Sequence, residues 1–142
     1  MGTRLNYDDV DVGTELPSAT FPLHRVDLVR YAGASGDFNV IHWNQRIATA
    51  VGLPDVIAHG MLTMAVACRV VSDWTGDPGS VLEYGVRFTR PVVVPDDDVG
   101  AELVVAATVG AKLDHRRVRV DLTATSAGEK VLAMSRAVVQ LG

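Results

Sequence analysis

The sequence predicts an α+β domain, with helices in its first half and an antiparallel sheet in its second half. Two observations support this class. Apolar residues recur at helical spacing up to about residue 76, and from residue 82 onward they alternate with polar residues at every second position. The turns between the alternating segments are short, as antiparallel neighbours allow. The 142 residues suit one ordinary domain, so we expect residues 1–142 to form a single domain with one core.

Three helices are predicted, each from an apolar pattern and a signal at its end. The first covers residues 26–33 and ends at Gly33, and the second covers 44–51 with Asn44 as its cap. The third covers residues 59–76, is apolar on nearly every side for four turns, and stops at Gly76. A helix without a polar face is typical of the middle of a domain.

Four strands follow, each with one apolar face. They are predicted at residues 82–89, 101–113, 117–124 and 131–141. The loop after the first contains two prolines and a run of aspartates, and the turns after the second and third are short polar segments. The sheet should therefore be antiparallel, and its apolar face should wrap the long third helix.

Composition excludes several classes of function. A net charge of −4 and a pI of about 5.4 do not favour a nucleic-acid partner, because binding to the phosphate backbone needs a basic face. No apolar run is long enough to span a membrane, and the first residues lack the pattern of a signal peptide. With Cys68 as the single cysteine, no internal disulfide can form. We expect a cytoplasmic protein with no membrane partner.

The segment SGDFNVIHWN, residues 35–44, places Asp37 and His42 among apolar neighbours. A carboxylate and an imidazole in such surroundings are costly unless they are paired or used in chemistry. They could simply brace a turn. However, His59 and Gly60 stand at the start of the third helix, where backbone N–H groups lack intrahelical partners and attract negative charge. An acid, a base and an oxyanion site are thus all available.

Other interpretations of the same residues are weaker. Asp37, His42 and His59 could form a metal site, but the short spacing that usually places two such ligands on one element is missing, so we expect no metal and no cofactor. Cys68 could be a nucleophile, yet its position in an apolar helix is more typical of a core residue. A cluster of arginines could bind phosphate or could be a solvated strand face. Its members are Arg87, Arg90, Arg116, Arg117 and Arg119.

The segment YAGASGDFNVIH, followed by AHGML at residues 58–62, resembles the signature of the MaoC-like (R)-specific enoyl-thioester hydratases, which are hot-dog folds. The similarity extends over nearly the whole chain to the B-type subunits of the mycobacterial (3R)-hydroxyacyl-ACP dehydratases. It implies a single hot-dog domain over residues 1–142. It also implies that Asp37 and His42 hold a catalytic water, and that the backbone N–H of Gly60 receives the thioester carbonyl.

The resemblance also implies an activity and an assembly. The activity is reversible addition of water to a trans-2-enoyl-CoA or enoyl-ACP. Because both carriers are anionic, Arg116, Arg117 and Arg119 are candidates for contacting the carrier. The assembly is a pair of hot-dog domains, which we expect to be a homodimer when the chain is alone and a heterodimer if a related subunit is present. A non-catalytic acyl-binding subunit and a hot-dog thioesterase are the alternatives; the latter would need a carboxylate on the long helix, which offers only Asp73.

One residue departs from the family pattern in the catalytic loop. Val40 stands where the family usually has proline, so the loop lacks the stiffening that proline would give. Ser35 and Asn39 are expected to support the loop, and packing of its apolar side chains is expected to replace the proline. Those side chains are Phe38, Ile41 and Trp43.

Overall fold

The computed structural model describes residues 5–142, which form a five-stranded antiparallel sheet and three α-helices. The helices are α1 (Arg25–Ser35), α2 (Gln45–Ala50) and α3 (Gly60–Thr75). The strands are β1 (Ala19–Leu23), β2 (Val81–Phe88), β3 (Ala101–Leu113), β4 (Arg117–Ser126) and β5 (Glu129–Gln140). Short 3-10 helices cover Tyr7–Asp9, Val40–His42 and Pro78–Ser80.

The strands lie in the order β1-β3-β4-β5-β2, so β1 and β2 form the two edges of the sheet. The strands β3, β4 and β5 follow one another through tight hairpins, in which Leu113 pairs with Arg117 and Ser126 with Glu129. Strand β5 begins at Glu129, two residues before the predicted start at residue 131. Strand β1 was not predicted, because it is short and contains Pro22, which only an edge strand tolerates.

The ends of the helices agree with the sequence at two of three sites. The Asn44 side chain caps α2 by accepting a hydrogen bond from the Ile47 N–H at 3.1 Å, as predicted. Helix α3 ends at Gly76, whose φ of 69° is the left-handed conformation that glycine adopts without strain. The predicted end of α1 at Gly33 is wrong, since the helix continues to Ser35 and Gly36 takes the left-handed position instead.

Helix α3 packs one face against the sheet. The buried positions Thr63, Ala67, Val70 and Val71 face it, and β3 contributes every second residue from Ala101 to Val109 to the same core. The outer face of α3 remains open in this chain, where the Met61 side chain is 57% exposed. The prediction of a helix enclosed on all sides is therefore correct for one side only. In residues 5–142, no helix is long and apolar enough to cross a membrane.

An extended segment just before α3 pairs with residues 92–94, which lie between β2 and β3, and also contacts the loop that contains His42. Ala58 donates its N–H to the Val92 carbonyl and Val94 donates to the Val56 carbonyl, both at 2.9 Å. Ile57, between them, donates to the Ile41 carbonyl at 3.2 Å. These backbone bonds fix the loop containing His42 beside the N-terminus of α3, although the two are far apart in sequence.

Candidate active site

The side chains of Asp37 and His42 face each other across a short gap. His42 Nε2 lies 4.0 Å from Asp37 Oδ2, which is too long for a direct hydrogen bond. His42 Nδ1 lies 2.7 Å from the Ile57 carbonyl oxygen, which can only accept, so Nδ1 bears the proton and Nε2 of the neutral ring is free to accept one. The imidazole is 9% exposed and the carboxylate 51% exposed. A water molecule could donate hydrogen bonds to both the buried His42 Nε2 and the accessible Asp37 Oδ2.

Hydrogen bonds within the loop hold Asp37. Its backbone N–H donates to Ser35 Oγ at 3.2 Å, and its Oδ1 accepts from the Asn39 N–H at 3.1 Å, which leaves Oδ2 toward His42. Asn39 in turn accepts from the Ile41 N–H through Oδ1 at 3.2 Å. Ser35 and Asn39 therefore support the loop as predicted, because each side chain accepts a hydrogen bond from the backbone N–H two residues later.

Phe38 and Trp43 do not replace the missing proline by packing as expected, whereas Ile41 is half-buried. Phe38 is 63% exposed and Trp43 is 52% exposed, so neither fixes the loop by burial. Trp43 contributes differently, because its Nε1–H donates to the Phe38 carbonyl at 3.0 Å and closes the loop. Asn39 still has a φ of −55° and a ψ of 128°, close to the polyproline II region, without a proline after it.

Gly60 is the first residue of α3 and lies at the wall of a pocket beside His42. Its N–H has no acceptor within the helix and is available to a ligand. A Cβ at this position would lie 3.1 Å from Cε1 of Phe88, so a side chain would crowd the pocket. The pocket has a volume of about 300 Å³, and besides His42 and Gly60 its lining includes Ile57, Thr63, Phe88, Arg90 and Val92.

Comparison with known proteins identifies the family. The model of the MaoC like domain matches residues 10–127. The chain belongs to the MaoC-like domain family. This confirms the resemblance seen in the sequence, and the solved structures described next confirm the hot-dog fold.

Relatives of this MaoC-like chain are named as hydratases and dehydratases. It is 38% identical to 3-hydroxyacyl-thioester dehydratase X of Mycobacterium tuberculosis over 56% of its own length, and spans only 27% of that protein. It is 29% identical to the 3-hydroxybutyryl-CoA dehydratase of Methylorubrum extorquens, covering 96% of this chain and 84% of the relative. Hydro-lyase chemistry on acyl thioesters is what these named relatives share.

Two solved structures superimpose on nearly the whole chain. A MaoC-like dehydratase matches with a TM-score of 0.94 and 41% identity, over 98% of this chain but 43% of the other. The R-hydratase PhaJ1 from Pseudomonas aeruginosa matches with a TM-score of 0.82 and 30% identity, over 97% of this chain and 86% of the other. The chain thus spans less than half of some relatives and most of others.

A third titratable side chain, His59, lies against the Asp37–His42 pair of this MaoC-like domain. Its ring stacks on the His42 ring, with centroids 3.8 Å apart and an interplanar angle of 22°. Asp37, His42 and His59 offer metal-binding atoms within 4.8 Å of one another. However, nearly parallel stacked rings direct their in-plane lone pairs side by side rather than toward one point. This stacking makes the set unsuited to a shared ion, although each histidine bonds to a backbone carbonyl through only one of its two ring nitrogens.

The predicted carrier-binding arginines lie away from the pocket. Arg117 pairs with Gln140, whereas the pocket residue Val131 is near the other end of β5, about 30 Å away at about 3.3 Å per residue. Arg116 donates to the carbonyl of Gly142 at 2.8 Å, and Arg119 forms two hydrogen bonds with Asp121 that raise its pKa. The structure does not bring these three arginines to the Asp37–His42 pair.

Neither side chain that an alternative function would need is suitably placed. Burial raises the pKa of the Cys68 thiol, which disfavours the reactive thiolate. Asp73 is exposed and lies thirteen residues after Gly60 on α3, about 20 Å along the helix axis. A thioesterase carboxylate is therefore absent from the part of α3 next to the pocket.

Proposed function

We propose that this chain is a (3R)-hydroxyacyl-thioester dehydratase that works reversibly as an (R)-specific 2-enoyl-thioester hydratase. The observation that supports this most directly is the 4.0 Å gap between His42 Nε2 and Asp37 Oδ2, beside a pocket whose wall includes the first N–H of α3. The relatives named as dehydratases and hydratases support the same activity. Each feature matches one requirement of adding water to an activated double bond.

The first requirement is a water that loses a proton as it attacks the β-carbon. A water in the gap would donate to Asp37 Oδ2 or to His42 Nε2, because both atoms present lone pairs there. The bond from His42 Nδ1 to the Ile57 carbonyl maintains the tautomer in which Nε2 can accept. Asp37 and His42 share the second proton transfer, to the α-carbon, and in reverse the same groups remove water from a (3R)-hydroxyacyl thioester.

The second requirement is a donor for the thioester oxygen. Negative charge develops on that oxygen as the β-carbon is attacked, and a preorganised N–H favours the enolate-like state over the substrate. The N–H of Gly60, reinforced by the positive end of the α3 dipole, would supply this donor. The absence of a side chain keeps that approach open.

The carrier of the acyl group is CoA or an acyl carrier protein, both of which are anionic. Among the pocket residues, Arg90 offers a cation, because its only ion pair in the described residues is a 3.4 Å contact with the exposed Glu129. Exposed pairs of this kind are weak and easily exchanged. We propose Arg90 as a carrier contact. The predicted contact with Arg116, Arg117 and Arg119 remains untested, and charge reversal at either site, read as a rise in KM, would decide between them.

We also propose that residues 1–142 form a single hot-dog domain that acts as a dimer through the edge of β2. Within residues 5–142, the outer backbone groups of this strand have no partner strand. The apolar side chains of Leu82 and Phe88 lie along it, each 51% exposed. The exposed face of α3 adjoins the same edge. We expect a homodimer when the chain is purified alone and a heterodimer if a related subunit is present, as in the ChsH1-ChsH2 complex of similar fold. A cytoplasmic location remains our prediction.

The decisive experiment is to incubate the purified protein with crotonyl-CoA and with longer trans-2-enoyl-CoAs. Loss of the enoyl absorbance, with a (3R)-hydroxyacyl-CoA as product, is the expected result. Release of free CoA without hydration would support a thioesterase instead. Binding of acyl-CoA with no reaction would favour a non-catalytic subunit. The variants Asp37→Asn and His42→Ala should abolish most of this activity. Asp73→Asn and His24→Ala, which change the same residue types outside the site, are their matched controls.

A further inference from the structure

His59 is the most deeply buried polar side chain around the catalytic pair. It is 1% exposed and occupies the N-cap position of α3, directly before Gly60. Its side chain makes no capping hydrogen bond to the helix. A histidine is therefore not needed here to start α3, and its burial needs another explanation.

The two ring nitrogens of His59 have different surroundings. Nε2 lies 3.1 Å from the backbone carbonyl oxygen of Asp37, which can only accept, so Nε2 bears the proton. Nδ1 then bears the lone pair, and it is buried with no hydrogen-bond partner in residues 5–142. Burying an unpaired acceptor costs folding free energy, which an apolar side chain would avoid. The bond to Asp37 is what histidine gains over such a side chain.

The ring of His59 also fixes the tilt of His42. The two rings stack at 3.8 Å, and Tyr31 contacts His59 edge-on at 4.7 Å. The bond from His42 Nδ1 to the Ile57 carbonyl sets the rotation of the His42 ring, whereas the stack limits its tilt. His59 thus contacts both proposed catalytic residues: it bonds to the backbone carbonyl of Asp37 and stacks on the ring of His42.

We propose that His59 is a positioning residue that keeps Asp37 Oδ2 and His42 Nε2 at the separation needed to hold one water. This inference rests on the proposed function. His59 is not placed to transfer a proton, because Nε2 donates to the Asp37 carbonyl and Nδ1 is buried. Burial and, to a lesser extent, the neighbouring His42 lower its pKa. A lowered pKa favours the neutral ring over a cation at this position.

Two variants separate positioning from general structural support. His59→Leu fills the buried site but provides neither the donor nor the ring, whereas His59→Gln provides an N–H donor at a similar distance from the backbone. We expect kcat of the leucine variant to fall roughly 100-fold, with KM changed less than about threefold, because small misplacement of reacting groups is costly. The glutamine variant should recover about tenfold of that loss. Both variants should keep both limbs of the pH–rate profile and unfold at similar temperatures.

Three outcomes would overturn the inference. A leucine variant at the wild-type rate would show that His59 positions nothing. A glutamine variant as slow as the leucine variant would show that the bond to Asp37 is not the positioning contact. Loss of one limb of the pH–rate profile in the leucine variant would show that His59 transfers a proton itself.

A measurement without turnover separates this inference from the proposed function. In ring-¹⁵N-labelled wild-type protein at about pH 8, above the usual histidine pKa, NMR should show His59 protonated on Nε2 and His42 on Nδ1. The chain has four histidines, so the signals of His59 are those that vanish in the leucine variant. The opposite tautomer at His59 would refute the contact with Asp37. A wild-type protein inactive on every enoyl thioester would instead refute the proposed function.

Discussion

Replacing Asp37 with asparagine tests the proposed chemistry with little change of volume. The Asn39 N–H would keep its bond to the remaining side-chain oxygen, so the new NH₂ group would take the place of Oδ2 and face His42 Nε2. A group that accepts a proton would become one that can only donate. We expect kcat/KM to fall 10²- to 10⁴-fold, the range for loss of a general base, or about 3 to 5 kcal/mol of transition-state stabilisation.

Stability should change little in this variant, because the carboxylate is 51% exposed and lies 4.0 Å from His42 Nε2, too far for a direct hydrogen bond. Initial rates of crotonyl-CoA hydration, measured beside thermal unfolding, provide the assay, with Asp73→Asn as the control on the exposed end of α3. An Asp37→Asn protein that unfolds normally and works within about tenfold of the wild-type rate would refute the role of Asp37 as a base.

Three further predictions follow from the same geometry. His42→Ala should be about as slow as Asp37→Asn, and the double variant should be little slower than either, because both groups act on one water; losses that multiply in the double variant would mean that they act independently. Gly60→Ala should lower kcat/KM by about tenfold or more without lowering the unfolding temperature, since the added Cβ crowds Phe88 and the oxygen site, and an unchanged kcat/KM would exclude Gly60 as the donor. Light scattering coupled to gel filtration should give a mass of about twice 15.2 kDa, whereas an active species with the mass of one chain would show that the dimer is not required.

Local sequence patterns predicted much of this protein. The alternation in β3, β4 and β5 and the apolar run of α3 each follow from a period that neighbouring residues share, so they are visible without knowing the fold. Asp37 and His42 are close because they stand five apart in one loop, and that proximity could also be expected from the sequence. The cap at Asn44 depends on a side chain bonding to a backbone group three residues later, which is equally local.

Contacts between distant segments decided the rest. Strand β1 exists because β3 offers it an edge, and nothing within its own five residues predicts this pairing. Whether the outer face of α3 is buried depends on which segments pack against it, and the apolar pattern alone does not predict that. The sequence placed His59 at the start of the third helix and in a disfavoured metal triad. It did not predict the bond to Asp37, which joins residues 22 positions apart. The distance from the pocket to Arg116 and Arg117 depends on strand register. Periodicity and capping are properties of neighbours along the chain, whereas burial, register and side-chain contacts are set by segments that meet only when the chain folds.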